Sequence, residues 1–528
     1  MRTCFWNLQS KNRRRLRRLS CAALRAFCIA APFALSAAAS AQTLARPGWA
    51  GSGVAIEPWW RRAVFYRIDP ANFQDSDGGG KGDLAGIAQR LGYLQHLGAD
   101  AIVLRLPLAS ASPETQSGFE GLARAAAERK LRVIVELSAA ASGDATSASQ
   151  QTYLNAARFW LNQGAAGIDL DSTALAAAGD EQAATLVRAL HDLLHGFPGG
   201  RILVANAAPV GDPALAKALA RDAQLVAPKP LAVATSAAAL RTELDAALGI
   251  EPESPTPMRT SGRSRARASD PETAKFLWSA SRVEPTTNTT AAQQLALQRT
   301  MAMLLLASRT AVMIDYGEEI GLGRESLMQW TPKNITPRPP APIERREAAA
   351  TGRPIPSKPK PQSNVYGPYV PYIPPTKPKP ADADTPAKVD PDTLPGFTSG
   401  TLPEPPPPDA AIVNVAIEEA DPHSLENFYR KLIELHHGNA SVHNGAQTVL
   451  NQDELDALLW VRRPPPGAAT ATTVVAICNL SSKPLALSLG MELKLRGGTF
   501  RTLAGDAKVS GDRISVPPGA VWLGEWQR

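Results

Sequence analysis

The chain has 528 residues, 44% of them hydrophobic, and a formal charge of +7. That length allows two or three domains and a sizeable core. Residues 1–41 carry Arg2, Lys11, Arg13, Arg14, Arg15, Arg17, Arg18 and Arg25 and no acid, and removing those eight charges takes the rest to −1. The basic balance belongs to the amino-terminus and makes no case for nucleic-acid binding.

That amino-terminus reads as a signal peptide over 1–41. A basic run, Arg13 to Arg18, precedes an alanine-rich apolar stretch from Cys21 to Ala38, and Ala39-Ser40-Ala41 offers cleavage before Gln42. Secretion or periplasmic export is expected, with no membrane association after cleavage. Arg25 interrupts the apolar run, so an uncleaved anchor is the alternative. No other run approaches the ~20 apolar residues of a membrane span. Cys4, Cys21 and Cys28 would leave with the signal, and the remaining Cys478 reads as a small buried apolar residue.

In chain order, Ala63 to Asp69 reads as a strand and Asp75 to Asp83 as a glycine-rich loop. A helix follows over Leu84–Leu97, striped by Leu84, Ile87, Leu91, Leu94 and Leu97. Ala101–Leu104 and Arg132–Leu137 are strands around a helix from Phe119 to Lys130. Tyr153–Gln163 is helical and leads to a strand ending in Asp169-Leu-Asp171. Side chains alternate along a strand, so Asp169 and Asp171 share a face. Asp180–Leu194 is a helix and Ile202–Val204 a strand. A sixth strand lies at Ala223–Val226 or at Leu231–Ala234, and both remain open. Helix Ala237–Leu248, strand Lys275–Trp278, helix Ala291–Ser308 and strand Ala311–Ile314 complete the rhythm. Eight strands alternating with helices point to an α/β chain, a closed (β/α)8 barrel.

Residues 333–394 break the rhythm: the window 331–410 holds 23 of the 46 prolines. Such a segment is extended, polyproline-like and a poor core former, so 333–394 is expected to be a disordered insertion and the first target of proteolysis. Ser424–His436 returns as an amphipathic helix. The last ninety residues alternate in short runs, a small antiparallel β-sandwich. The expected domains are 1–41, a barrel over 42–332 and 395–437, the 333–394 insertion, and a β domain over 438–528. No internal repeat is found.

These residues resemble glycoside hydrolase family 13, the α-amylase superfamily, near its oligo-1,6-glucosidase and α-glucosidase branch. The carriers are Trp59-Trp60-Arg-Arg-Ala-Val-Phe-Tyr66, Asn72-Phe-Gln-Asp75 through Gly82-Asp83-Leu84, Phe159-Trp160-Leu161 through Asp171, Gly317-Glu-Glu-Ile-Gly321, Met328-Gln-Trp330, and Asp421-Pro-His-Ser through Lys431. The resemblance implies a barrel followed by a β-sandwich. It also implies a retaining mechanism with two carboxylates roughly 5 Å apart. The family's segment after Met-Gln-Trp resumes at Pro395, which places the proline-rich block after the eighth strand.

Transferred residue by residue, the resemblance puts Asp171 at the nucleophile position. Asn206 stands in place of the proton-donor glutamate, and Ser281 in place of the third acid. Ala280 replaces a neighbouring histidine, and Asp169 replaces an arginine that pairs with the nucleophile. The third-strand motif reads Glu136-Leu-Ser-Ala-Ala140-Ala141. Loss of the proton donor alone typically costs ~10²–10⁴ in rate. A degenerate, inactive barrel is expected, with Glu136 and Asp169 as substrate-binding positions.

With that arginine gone, Glu136, Asp169 and Asp171 could form a cation site or an acid and base with separated pKa values; the plainer reading is solvated or hydrogen-bonded relics. Asp75, Asp77 and Asp83, with the Lys81 carbonyl, match the family's calcium loop but have Gly79 at its fifth position. Weak calcium binding competes there with a turn capped by aspartates. His191 and His195, four apart on a helix, read as a solvated face rather than a zinc site. Glu318 and Glu319 read as structural, and Tyr366, Tyr369 and Tyr372 as linker aromatics. Three functions follow as expectations. One is a pseudo-glycosidase binding an α-glucan, an oligosaccharide or a protein partner. The second is an altered α-glycoside hydrolase or transglycosidase. The third is a membrane-tethered scaffold.

Overall fold

The computed structural model describes residues 58–108, 113–138, 149–172, 180–206, 221–227, 230–233, 236–241, 277–284, 289–308, 310–323, 325–331, 396–398, 413–450, 456–465, 471–490 and 493–527, and the single positions 175, 219 and 468. The expected signal over 1–41, the 333–394 insertion with its three tyrosines, and Ala140-Ala141 lie outside the described residues.

Eight parallel strands form one sheet: β1 Val64–Ile68, β2 Ala101–Pro107, β3 Arg132–Ser138, β4 Gly167–Leu170, β5 Ile202–Asn206, β6 Leu225–Ala227, β7 Leu277–Trp278 and β8 Ala311–Asp315. Their order is β6-β5-β4-β3-β2-β1-β8-β7. A parallel bridge between Leu231 and Ala280 spans the gap from β6 to β7, so the barrel is nearly closed. The Leu231 N–H donates to the Ser279 carbonyl and the Ser281 N–H to the Leu231 carbonyl, both at 2.9 Å. Both sixth-strand candidates are therefore used: the first is β6 and the second supplies the bridge.

Alternation along the strands sorts their side chains. Val64, Tyr66 and Ile68 of β1 pack outward against the helices. Phe65 joins Val103, Ile134, Val204, Leu277 and Met313 in an apolar layer inside the barrel, with Trp59 and Trp60 against it. Barrel interiors are filled by such layers. The next inward positions on β1, β2, β3 and β4 are Arg67, Arg105, Glu136 and Asp169, so a charged layer lies directly above the apolar one.

The helix expected over Leu84–Leu97 is instead two, Leu84–Gln89 and Leu91–Leu97, meeting at Arg90. The Arg90 Nε donates to Gln74 Oε1 at 2.7 Å, its Nη2 to the Gly396 carbonyl at 3.1 Å, and its guanidinium lies 4.2 Å from the Trp330 ring. The break coincides with these three ties, while the leucine stripe stays buried. Gly396 has φ +83°, and a Cβ there would lie 2.8 Å from Thr331 Oγ1 and 2.9 Å from Trp330 Cβ. The chain thus leaves at Thr331 and returns at Gly396 in contact with itself.

The helix Leu425–Gly438 is capped by Ser424 and buries Leu425, Phe428 and Leu432. Beyond it, β13-β16-β11-β10-β9 form a five-stranded antiparallel sheet, with β9 Ala446–Leu450, β10 Ala457–Arg463, β11 Val474–Asn479, β13 Thr499–Gly505 and β16 Val521–Gln527. A second sheet, β12-β15-β14, comprises Leu485–Ser488, Arg513–Val516 and Lys508–Ser510. Leu459, Val461, Ile477, Phe500 and Trp522 of the first sheet pack with Leu485, Ile514 and Val516 of the second. This is the sandwich expected from the alternation. Cys478 is fully buried in β11, and burial pushes its thiol up, so it is inert packing.

Candidate functional site

The charged layer makes the barrel mouth. Arg67 Nε and Nη2 donate to Asp315 Oδ1 and Oδ2 at 2.6 and 2.8 Å, a bidentate pair between neighbouring strands. Arg105 Nε donates to Glu136 Oε1 at 2.8 Å, and Arg67 Nη1 lies 3.9 Å from Glu136 Oε2. Burial works against ionisation of Asp315, but the Arg67 charge and hydrogen bonds outweigh it and hold this carboxyl below its usual range. Burial opposes the charge of Arg67 and Arg105, but Asp315 at Arg67 and Glu136 at Arg105 outweigh it and raise both guanidinium pKa values.

Glu136 and Asp169 face each other in register across β3 and β4. They are 2% and 0% exposed. Both Asp169 carboxyl oxygens and Glu136 Oε2 lack a hydrogen-bond partner. Burial first, then the neighbouring Glu136, pushes the Asp169 carboxyl well above the usual carboxylate range. The relic reading is therefore corrected at Asp169, which is neither solvated nor hydrogen-bonded. The arginine that Asp169 replaces is absent, but Arg67 and Arg105 bring positive charge to this region from β1 and β2. Sequence reading missed both, and Asp315. The signal was present, because an inward charge inside an apolar strand such as Val64-Phe-Tyr-Arg-Ile68 demands a partner.

Asp171 follows β4 and is half-buried, accepting from the Ser172 hydroxyl at 3.2 Å. Asn206 ends β5, one residue past the Leu170–Ala205 pair, and so stands level with Asp171. Ser281 is exposed beyond β7, its N–H fixed to Leu231. A cavity of about 60 Å³ at the mouth is lined by Arg67, Asp69, Arg105, Arg282, Asp315, Tyr316 and Glu325. Sites for small ligands usually measure ~300–1,000 Å³.

After β8, Glu318 and Glu319 anchor the turn. The Tyr66 and Tyr93 hydroxyls donate to Glu319 Oε1 at 2.7 and 2.6 Å, and the Tyr429 hydroxyl donates to Glu318 Oε1 at 2.9 Å. His191 Nδ1 is 2.6 Å from the Asp222 carbonyl oxygen and His195 Nδ1 is 3.1 Å from that of His191, so each ring has a backbone partner.

In the glycine-rich loop, Asp75, Asp77 and Asp83 bring ligand atoms within 4.8 Å of one another, an arrangement that could hold a metal ion. Asp75 already accepts the Asp77, Gly78 and Gly80 amides and the Thr398 hydroxyl. Burial opposes its ionisation, but these donors outweigh it and lower its pKa. Asp83 caps the next helix through the Gly86 amide and accepts from Ser76. Lys81 is exposed beside them. A carboxylate has about four lone-pair sites, and the four bonds to Asp75 fill them, so an ion bound here would have to displace some of these donors.

An incomplete ring of parallel strands, a charged mouth at their carboxyl ends and a trailing sandwich define a (β/α)8 barrel with a carboxyl-terminal β domain. The family model for the α-amylase catalytic domain matches residues 67–120. The oligo-1,6-glucosidase of Bacillus sp. (strain F5) is 47% identical over 65 residues, 12% of this chain and 12% of that protein. The trehalose-6-phosphate hydrolase of Escherichia coli (strain K12) is 47% identical over 62 residues, 12% of this chain and 11% of that protein. The match thus spans about one eighth of these relatives. The isomaltulose synthase of Erwinia rhapontici NX5 superposes with TM-score 0.59 at 16% identity, covering 90% of this chain and 100% of that one. The trehalulose synthase of Pseudomonas mesoacidophila MX-45 gives 0.57 at 16%, covering 89% and 100%. The resemblance to glycoside hydrolase family 13 is thereby shown by sequence over the amino-terminal part of the barrel, and the likeness over most of the chain is one of fold.

Proposed function

We propose that the chain is a catalytically impaired pseudo-glycosidase whose own side chains fill the mouth where a sugar would bind. One observation carries this reading: at the mouth Arg67 is locked to Asp315 and Arg105 to Glu136, and the cavity beside these pairs is about 60 Å³. The asparagine at position 206 and the serine at position 281 support it, because neither can serve as the acid that retaining chemistry needs. With a filled mouth, the remaining role is recognition of an α-glucan or a protein partner over other surfaces. The signal-like segment favours a secreted or periplasmic place of action. An uncleaved segment would make the chain a tethered scaffold instead, and the mass of the mature amino-terminus decides between them.

The second reading is an altered α-glycoside hydrolase or transglycosidase, favoured by the half-buried Asp171 beside the mouth. Turnover of an aryl α-glucoside, assayed beside glucan binding, separates the two. No turnover above background is expected from the wild type, and turnover that Asp171→Asn abolishes would overturn the first reading. Calcium is proposed for the Asp75 loop. Chelator is expected to lower the melting temperature of the purified chain, and Asp75→Asn to remove that sensitivity; a melting temperature unmoved by chelator removes calcium from the proposal.

A further inference from the structure

We propose that Asp169 and Glu136 share one proton at neutral pH, a carboxyl–carboxylate hydrogen bond that leaves Arg67 with Asp315 and makes the barrel mouth an alkaline switch. The inference does not depend on whether the mouth turns over sugar. Glu136 and Asp169 are register partners on β3 and β4. Neither Asp169 oxygen has a hydrogen-bond partner, and Glu136 Oε2 has none either. An ionised carboxylate can only accept, so two facing carboxylates leave both sides unsatisfied. One proton on Asp169 turns it into a donor, and Oε2 of its register partner Glu136, which accepts no hydrogen bond, is the acceptor. Leaving such buried acceptors unmade is costly.

The groups facing Asp169 decide which acid keeps the proton. Arg105 of β2 donates to Glu136, and Arg67 of β1 lies 3.9 Å from it, so both guanidinium groups face Glu136 rather than Asp169. Asp171 of β4 adds negative charge near Asp169, and Asp315 of β8 occupies the bidentate fork of Arg67. The inward positions of β5, β6 and β7 are Val204, Leu225 and Leu277, which bring no charge. The neutral form therefore falls to Asp169, in the direction that its burial and Glu136 already push it. A metal ion would have to compete with two guanidinium groups already directed at Glu136, which argues for the proton. When the proton leaves, a further negative charge appears beside Arg67 and competes with Asp315 for its guanidinium.

The test uses the full chain and infrared difference spectra across pH. Wild type minus Asp169→Asn is expected to show a protonated-carboxyl stretch at neutral pH that fades on the alkaline side. Glu136→Gln removes the like charge and is expected to lower the midpoint of that fading by roughly one unit or more. Stability should tell the same story: Asp169→Asn matches wild type at neutral pH and loses less as pH rises, because an amide can donate as the protonated acid does. A difference spectrum with only carboxylate bands at neutral pH overturns the proposal. If Asp169→Asn does not fold, a midpoint unmoved by Glu136→Gln overturns it instead. Uptake of magnesium or calcium with release of a proton, unaffected by Asp75→Asn and abolished by Glu136→Gln, replaces the proton by a cation and also overturns it.

Discussion

Arg67→Met will destabilise the barrel by about 3–5 kcal/mol, because it breaks an enclosed ion pair from one side. Asp315 then loses both of its short bonds from Arg67 Nε and Nη2, and Glu136 loses its second cation. Asp315 is 19% exposed, so water screens only part of the loss. Replacing both partners, as in Arg67→Met with Asp315→Leu, removes the uncompensated charge and should recover most of the stability. Urea unfolding of the two single variants and the double variant measures this. Equal losses in the single and double variants would show that packing, not the ion pair, is what Arg67 contributes. The sign with pH follows from the lowered Asp315 pKa. Its contribution is complete above the unfolded carboxylate value of about 3.9 and is lost as pH falls through the lower folded value.

The second large effect has the opposite pH sign. Glu426, on the helix Leu425–Gly438, is fully buried, and both of its carboxyl oxygens lack a hydrogen-bond partner. Burial first, then Glu419, pushes its pKa up to about 9. Burial, with Asp315 second, pushes Glu318 up to about 7. In both, the folded chain keeps a proton that the unfolded chain loses from about pH 4.3 upward. Stability must therefore fall as pH rises from that point through 7 and on to 9, by up to ~1.4 kcal/mol per unit for each group. Glu426→Gln keeps the shape without the acid. It is expected to match wild type near pH 5 and to exceed it at pH 9 by several kcal/mol, the loss that accumulates in the wild type over those units. Denaturant midpoints at pH 5, 7 and 9 read this out. A wild type equally stable at all three values, with no gain in the variant, would contradict it.

Much of the fold was legible because barrel strands and helices announce themselves by period. The leucine stripe of 84–97 and the apolar runs of β2, β3 and β8 needed no tertiary information. The sixth strand stayed ambiguous because β6 has three residues and Leu231 makes a lone bridge, too little for any periodicity to mark. Helix 84–97 read as one piece because the partners of Arg90 at the break, Gly396 and Trp330, lie far along the chain. The site was only half legible. Glu136, Asp169 and Asp171 could be placed on neighbouring strands by motif, but their environment could not. Arg67 comes from 69 residues before Glu136 and Asp315 from 248 residues after Arg67, and no local signal joins them. The same distance hid the Tyr66, Tyr93 and Tyr429 bonds to Glu319 and Glu318.

The most direct measurement is turnover of an aryl α-glucoside by the purified full chain, beside Arg67→Met and Asp171→Asn. A mouth filled by Arg67 and Arg105, with asparagine at the donor position, should give only background release of the aryl group in all three proteins. Turnover by the wild type that Asp171→Asn abolishes would mean that the mouth admits a glucoside and that a nucleophile still works there.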